Sequence, residues 1–560
     1  MGLYVGIDLG TTNSTVSVIQ TEDSGESPLD SLETCPIHQY KKIGESVTDD
    51  CLPSALYFDI ENKRVYTGIY AKERYSSGDR PLQTAISVKI RMGGDSRLEI
   101  PGLFGKSQPQ IFDMKECSSF FIRTIVNSLK KEYPEQAEQI TDECIVTVPA
   151  AFNDDERVAT QNAVLLGGFK RCKILDEPTA ALLSHINSDS YDDSADEETT
   201  YKLVYDIGGG TLDVSIAKLT RDDYGGYTVD IVGLSERMNL GGDNFDRLLG
   251  AYFLKEFEPA NPAIQSRSAE DKSRMIARMV SHAEEYKIAM NNDIVKYRNN
   301  PHRLSKLKKI VNFILMEPFQ VTGIFINKQL LDDLFLMYTD SNTGLLLKPV
   351  KTALSRSKLQ KEDIGEIILT GGMAEFYAVQ DTIKKFFGDN VKISTVDDTK
   401  TAVSRGAALY HWGLDDDNFS DEVKKISTIS NKLASNIYVR NSAGNFDLLI
   451  PSDLSKTSGT YDYIISDENV AYLPFYLYSG TEPENGEDNT ATYTQLAGRM
   501  IPTKPEYNKG DTIPIYWEID ENKVITVQIQ NDANITLSRI LTPNEIAQSI
   551  VNQYEVNPGV

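Results

Sequence analysis

One short pattern occurs twice, and it constrains this chain more than any other feature. Residues 5–18 read VGIDLGTTNSTVSV, and residues 204–216 read VYDIGGGTLDVSI. A shift of 198 positions lays Asp8 on Asp206, Gly10 on Gly208, Val16 on Val214 and Ser17 on Ser215 without a gap. Each copy alternates apolar and polar residues, turns at glycine, and alternates again, which predicts a β-hairpin. Two matched hairpins predict two similar lobes.

The residue types at the turns suggest a ligand. Glycines let backbone N–H groups approach an anion without side-chain obstruction, and successive N–H groups in a turn make a concave anion site. An Asp beside each turn repels a bare phosphate, so a divalent cation, held through water, must lie between carboxylate and phosphate. Two facing lobes of this kind describe a clamp for a Mg²⁺–polyphosphate. A single copy would read more simply as a tight turn; two copies that each keep the Asp favour the clamp. GLFGKS (102–107) contains Gly-Lys-Ser but lacks the earlier glycine of a P-loop and reads as a surface loop.

Around the hairpins, strands and helices alternate up to about residue 415. ECIVTVPAAF is a strand entering a turn, and DDERVATQNAVLLGG is a helix with acids in its first turn. DKSRMIARMVSHAEEYKIAMNN is a long helix, and IGEIILTGGMAEFYAVQDTIKKFF is strand, turn, helix. The mixture predicts an α/β architecture. Beyond it GLDDDNFSDEVKK reads as an acidic linker. Short aromatic and β-branched runs such as FDLLIP, LPFYLYSG, TIPIYWEID and VITVQIQ then predict an all-β domain. Thr542, Pro543 and Glu545 announce a helix with a capping box, running to about Tyr554. SDSYDDSADEETT (188–200) is an acidic surface loop.

Charge narrows the partners. With 57 Lys and Arg against 82 Asp and Glu, the net charge is −25. Such a chain is repelled by phosphate backbones and anionic membranes, which argues against nucleic acid or a membrane as partner. The N-terminus lacks the basic and apolar regions of a signal peptide. Five cysteines form no CxxC pair and read as reduced thiols, so the expected location is cytoplasmic.

GIDLGTTNS, TVPAAFNDDERVAT, DEPTAALL, YDIGGGTLDVSI, NLGGDNFD and LTGGMAEF occur in that order. Together they resemble the ATPase domain of the seventy-kilodalton heat-shock chaperones, in the actin-like ATPase superfamily. The resemblance covers residues 1–412. LPFYLYSGTEPE and LAGRMIPTKPEYNKGDTIPIYWEIDENKVITVQI are similar to that family's peptide-binding β-sandwich, and LTPNEIAQSIV to the start of its helical segment. The implied fold is α/β: a two-lobed actin-like ATPase domain (1–412), an acidic linker (413–425), an all-β sandwich (426–541), and a short helix and tail without a lid (542–560).

The resemblance implies roles. Asp8 and Asp206 hold the water shell of Mg. Thr11, Thr12, Asn13, Gly208, Gly209, Gly210 and Thr211 meet the phosphates of ATP or ADP. Lys89 orients the attacking water, and Glu177 and Asp213 complete the acidic site. Gly241, Gly242, Glu284, Lys287, Asn291, Gly371 and Gly372 surround ribose and adenine. Pro149 and Arg157 relay nucleotide state to the second domain.

Three departures shape the expectations. Ile288 and Glu375 stand where many members carry arginines against adenine, so cation–π stacking is missing. The linker lacks the family's leucine run. A lidless β-domain implies open, fast-exchanging binding. The expected function is a slow ATP hydrolase and chaperone-like protein that binds unfolded or extended protein segments, with a J-domain-type co-chaperone and a nucleotide exchange factor as partners. A non-catalytic, nucleotide-gated adaptor for one specific protein is the alternative. A small-molecule kinase of the same superfamily is a third reading.

Overall fold

The repeated hairpins form as expected. Gly2–Asp8 pairs antiparallel with Asn13–Thr21, and Thr199–Ile207 pairs antiparallel with Leu212–Arg221. The computed structural model describes the chain apart from residues 1, 22–30, 79, 103–107, 189–198, 222–226, 340–343, 397, 415–425, 431–432, 434–435, 453, 467–471, 481–492, 503–507, 530–531 and 537–539. The Gly-Lys-Ser loop, the acidic loop after Ser188 and the linker thus lie wholly or largely outside the described residues.

Each hairpin seeds a sheet with the same plan. In lobe I, Gly2–Asp8 lies parallel to Glu143–Val148, which lies parallel to Arg171–Asp176. In lobe II, Thr199–Ile207 lies parallel to Glu366–Thr370, which lies parallel to Lys392–Thr395. The registers correspond: Asp8 sits opposite Thr147, and Asp206 opposite Thr370. Two helices, Glu177–Ile186 and Ala402–Gly413, cross where the lobes join. Gly406 permits this contact, because a Cβ there would meet the Ala180 carbonyl oxygen at 1.8 Å. Each lobe has its own apolar core, one around Phe112, Phe120 and Ile122, the other around Tyr205, Phe245 and Phe253.

Lobe II also buries a charged knot. Glu366 accepts from Lys202 Nζ at 2.8 Å, His185 Nε2 at 3.1 Å and Ser394 Oγ at 2.5 Å. Burial drives its pKa up, but the donors from His185 and Lys202 outweigh burial and hold it below the ordinary 4.5. A depressed folded-state pKa means that the folded state binds fewer protons. The stabilisation is therefore complete above pH 4.5 and lost as pH falls below it. Urea titrations across that range will show stability declining with acid, and Glu366→Gln will flatten the decline.

Beyond the lobes, two four-stranded sheets form a β-sandwich. One contains Phe446–Ile450, Asn436–Arg440, Tyr472–Gly480 and Tyr493–Pro502. The other contains Ser458–Ile464, Thr512–Ile519, Ile525–Ile529 and Asp532–Thr536. Val439, Phe475, Leu477, Ile515 and Trp517 meet between them, as alternation at period two requires.

Two placements differ from the sequence reading. Ile426–Ser430, assigned above to the sandwich, pairs in parallel with Tyr227–Leu234 and becomes the sixth strand of the lobe II sheet. An open sheet edge accepts any extended segment, and strand periodicity does not say which sheet will take it. The described sandwich strands begin at Asn436.

The capping box of Thr542 and Glu545 forms as expected, but the helix it starts covers only Pro543–Gln548. A 3-10 turn, Ile550–Gln553, and a short strand, Glu555–Val556, follow. That strand pairs with Arg64–Thr67 of lobe I. Val551, Tyr554 and Val556 are buried in the lobe I core, with Tyr554 edge-on to Phe112 and Phe120. Asn557 accepts from Thr67 N at 3.0 Å and donates to Thr67 Oγ1 at 2.8 Å. Residues 541–560 thus form a strap over lobe I.

Candidate active site between the lobes

The two glycine turns face each other across the cleft. A Cβ on Gly209 would lie 1.8 Å from Thr12 Oγ1, and one on Gly210 would lie 2.8 Å from the Thr11 methyl. Only glycine lets the turns approach this closely. Between them lies a cavity of about 140 Å³ lined by Asp8, Thr11, Thr12, Asn13, Lys89, Pro149, Glu177, Asp206, Gly208, Gly209, Thr211, Gly371 and Gly372, among others. Gly241 packs against Gly209, and Asp213 sits directly opposite Asp206 in the hairpin.

A second cavity, about 310 Å³, continues the cleft past Thr11 and Thr12 to Tyr75, Asp246, Ile276 and Glu284. Its sides are joined by the ion pair Lys72–Glu284 at 2.9 Å. Lys287 approaches Gly242 and pairs with Asp246 at 2.9 Å. Asn291 accepts from Tyr377 N and donates to the Glu375 carbonyl, tying the long helix Ala269–Lys296 to the turn after Gly372. Ile288 is half exposed, and Glu375 accepts from Thr399 Oγ1 at 2.5 Å.

Several neighbours were not singled out from sequence: Thr147, which donates to Asp8 at 3.2 Å, and Thr370, Thr399 and Lys400 in the cavity wall. Asp246 ends the NLGGDNFD motif and was available there. The others come from distant strands and loops, and only the folded registers bring them in.

Positive charge is scarce at the centre. Lys89, 5% exposed, forms an ion pair with Glu177 on a one-turn 3-10 segment, Val88–Arg91. Burial pushes Asp8 up to about 7, with Lys89 countering and Glu177 adding to the rise. Asp206 is driven well above the carboxylate range by burial and by the Glu177, Asp213 and Asp8 carboxylates. Burial also raises Asp213 to about 7, with help from Glu177. The acids at this centre outnumber the cations beside them, which suits an added cation. Among the described residues no group of three or more His, Cys, Asp or Glu side chains is disposed to grip a metal directly. Thr12 Oγ1 is buried without a hydrogen-bond partner among the described residues, as an atom reserved for a ligand would be.

The other pair leads out of the cleft. Pro149 lines the cavity, and its carbonyl accepts from Phe152 N. Arg157 donates to Phe152 O, Ala150 O and Asp176 Oδ1. The other oxygen of Asp176 takes Lys523 Nζ, from the sandwich, at 2.6 Å. Around that contact Asn522 Oδ1 accepts from Ile174 N, and Asp154 Oδ1 accepts from Ile525 N.

Two lobes built on one sheet plan, each bringing an Asp and a glycine turn to a shared cavity, define the actin-like ATPase fold, here with a β-sandwich attached. The family model described as Hsp70 protein matches residues 4–549, so the chain belongs to the Hsp70 family. It is 30% identical over 408 residues to the "Chaperone protein DnaK" of Thermosipho africanus (strain TCF52B), covering 72% of this chain and 58% of that protein. The corresponding protein of Thermosipho melanesiensis (strain DSM 12029 / CIP 104789 / BI429) matches at 30% over 406 residues with the same shares. The match thus spans somewhat more than half the length of these curated relatives.

Proposed function

We propose that this protein binds Mg–ATP between its lobes, hydrolyses it slowly, and uses the nucleotide state to govern capture of extended protein segments by its β-sandwich. The observation that carries the reading is the pair of facing turns, each with its Asp, closing on one cavity that also holds Lys89 and Glu177. Thr11, Thr12, Asn13, Gly208, Gly209, Gly210 and Thr211 supply donors for the phosphates. Asp8 and Asp206 hold the hydrated Mg²⁺, with Asp213 behind Asp206. Gly241, Gly242, Glu284, Lys287, Asn291, Gly371 and Gly372 take the nucleoside.

Phosphoryl transfer to water needs positioning and charge neutralisation more than covalent chemistry. Lys89 holds the attacking water, and Glu177 fixes Lys89. Bound Mg²⁺ neutralises charge on the phosphate oxygens. Pro149 and Arg157 pass the state of the cavity to Asp176 and so to the sandwich. Extended segments bind there by adding to strand edges, with side chains in pockets. Partners of the J-domain and exchange-factor kind would set the cycle's pace from a cytoplasmic location.

The test measures ATP turnover, and the affinity for a fluorescent extended peptide with and without ATP, in the unsubstituted protein and in Lys89→Ala. The expected result is slow turnover together with ATP-dependent peptide release. Absence of turnover with specific capture of one folded partner would establish the adaptor reading instead. Transfer of phosphate to a small molecule would establish a kinase.

A further inference from the structure

One ion pair crosses the cleft beside the acidic centre, and nothing in the reading above uses it. Arg237 belongs to lobe II, in the segment between Tyr227–Leu234 and the helix Gly242–Phe257. Its backbone is fixed because its neighbour Met238 exchanges two hydrogen bonds with Leu212, next to Asp213. Its guanidinium reaches lobe I, where Nη2 lies 2.9 Å from Glu156 Oε1. Glu156 is itself held, since its other oxygen accepts from Asn153 N as the capping box of the helix Asp154–Gly167.

The Phe152 ring neighbours both this pair and the catalytic lysine. The guanidinium is 5.1 Å from the ring centroid, and the Lys89 ammonium is 6.0 Å from it. Two cations thus share one aromatic ring, one from each lobe. Arg237 Nη1 and Asp213 Oδ1 are both buried without a hydrogen-bond partner among the described residues. The two groups are near enough to interact, since Arg237 counters part of the rise that burial imposes on Asp213.

We propose that Arg237 is a positioning residue for phosphoryl transfer: by clasping Glu156 across the cleft it holds Phe152 against Lys89, so the lysine is in register only when the lobes are closed. This rests on the ATP-hydrolysis reading. The clasp acts on the segment from Pro149 to Arg157, so lobe closure and lysine placement become one event. Misplacing a reacting group by about 1 Å can lower a rate by about 100-fold. Loss of one clasp partner, which leaves Lys89 and Glu177 in place, should lower the rate by about 10–100-fold.

The test uses the full chain as Arg237→Gln, Glu156→Gln, the exchange Arg237→Glu with Glu156→Arg, and Arg237→Gln combined with Lys89→Ala. Two quantities are read: single-turnover hydrolysis of bound Mg–ATP, and release of a fluorescent ATP analogue. The expected result has three parts. Both Gln variants hydrolyse more slowly and release faster, the exchange recovers most of both, and Arg237→Gln adds nothing once Lys89 is gone. Non-additivity marks two residues acting as a unit; a purely structural role would add in full. Wild-type rates in Arg237→Gln, faster release without slower hydrolysis, or full additivity with Lys89→Ala would each overturn the proposal. An unsubstituted protein that binds the analogue without any turnover would overturn both this role and the ATP-hydrolysis reading. That outcome differs from failure of the clasp alone, in which the unsubstituted protein still turns over.

Discussion

Lys89→Ala will bind Mg–ATP and hydrolyse it about 10²–10³ times more slowly than the unsubstituted protein. The size follows from position. Lys89 is 5% exposed, pairs with Glu177 and offsets part of the rise at Asp8, Asp206 and Asp213. A preorganised charge in such a site acts without the reorganisation that water would need. Lys89→Arg will not restore the rate, because a planar fork cannot occupy the place of a compact ammonium on a flexible stem. Loss of Lys89 also leaves the Glu177 carboxylate without its ion-pair partner. Lys89→Met with Glu177→Gln removes that complication. If the double variant keeps its thermal transition and remains slow, the loss is catalytic. Single-turnover assays on bound ATP make the measurement, and a wild-type rate in Lys89→Ala would remove Lys89 from the mechanism.

Asp176→Ala will release the β-sandwich from lobe I. Asp176, Arg157 and Lys523 are all nearly inaccessible, and the carboxylate joins the two cations with one oxygen each. Burial drives the Asp176 carboxyl up, and Lys523 and Arg157 together outweigh it, leaving it below its ordinary range. Burial also lowers Lys523 to about 8, with Asp176 opposing. Without Asp176 two buried positive charges face one another, a defect of about 3–5 kcal/mol. Arg157 remains held by the carbonyls of Ala150 and Phe152, so the strain is relieved by returning Lys523 to water. Hydrogen exchange will then show the hairpin around 520–525 losing protection while the strands of lobe I keep theirs. Asp176→Leu combined with Arg157→Met and Lys523→Met, which replaces all three charges by apolar side chains, should recover much of the docking. Unchanged protection of the hairpin in Asp176→Ala would show that the triad does not hold the domains together.

The legible and illegible parts of this molecule divide along physical lines. The hairpins, their Asp residues and the facing turns were readable because they are local, repeated and spaced at a fixed interval. The capping box of Thr542 was readable for the same reason. Which sheet receives Ile426–Ser430 was not, since β-branched alternation specifies a strand but not its partner. The fate of residues 549–560 was equally hidden. The spacing of Val551 and Tyr554 continues a helical pattern, and only contact with Phe112 and Phe120 turns it into a strap. Lys523 looks in sequence like an ordinary hairpin residue. Its left-handed backbone, φ 61°, and its burial beside Asp176 arise only once two domains meet. Arg237 and Glu156 are likewise 81 positions apart and in different lobes.

The strap has a consequence for the order of events during synthesis. Val551, Tyr554 and Val556 complete a core whose other walls are made near residues 64–67 and 112–129. At ~5–20 residues per second, the ribosome delivers the strap roughly 20–80 s after the helix it covers. Through that interval nascent lobe I presents an unpaired strand edge at Arg64–Thr67 and an uncovered aromatic pair, Phe112 and Phe120. Contacts closed over nearly five hundred residues are slow to form, and an open edge of this kind invites other chains. Lobe I therefore passes through a stage in which its own strand edge and aromatic pair are open to other chains.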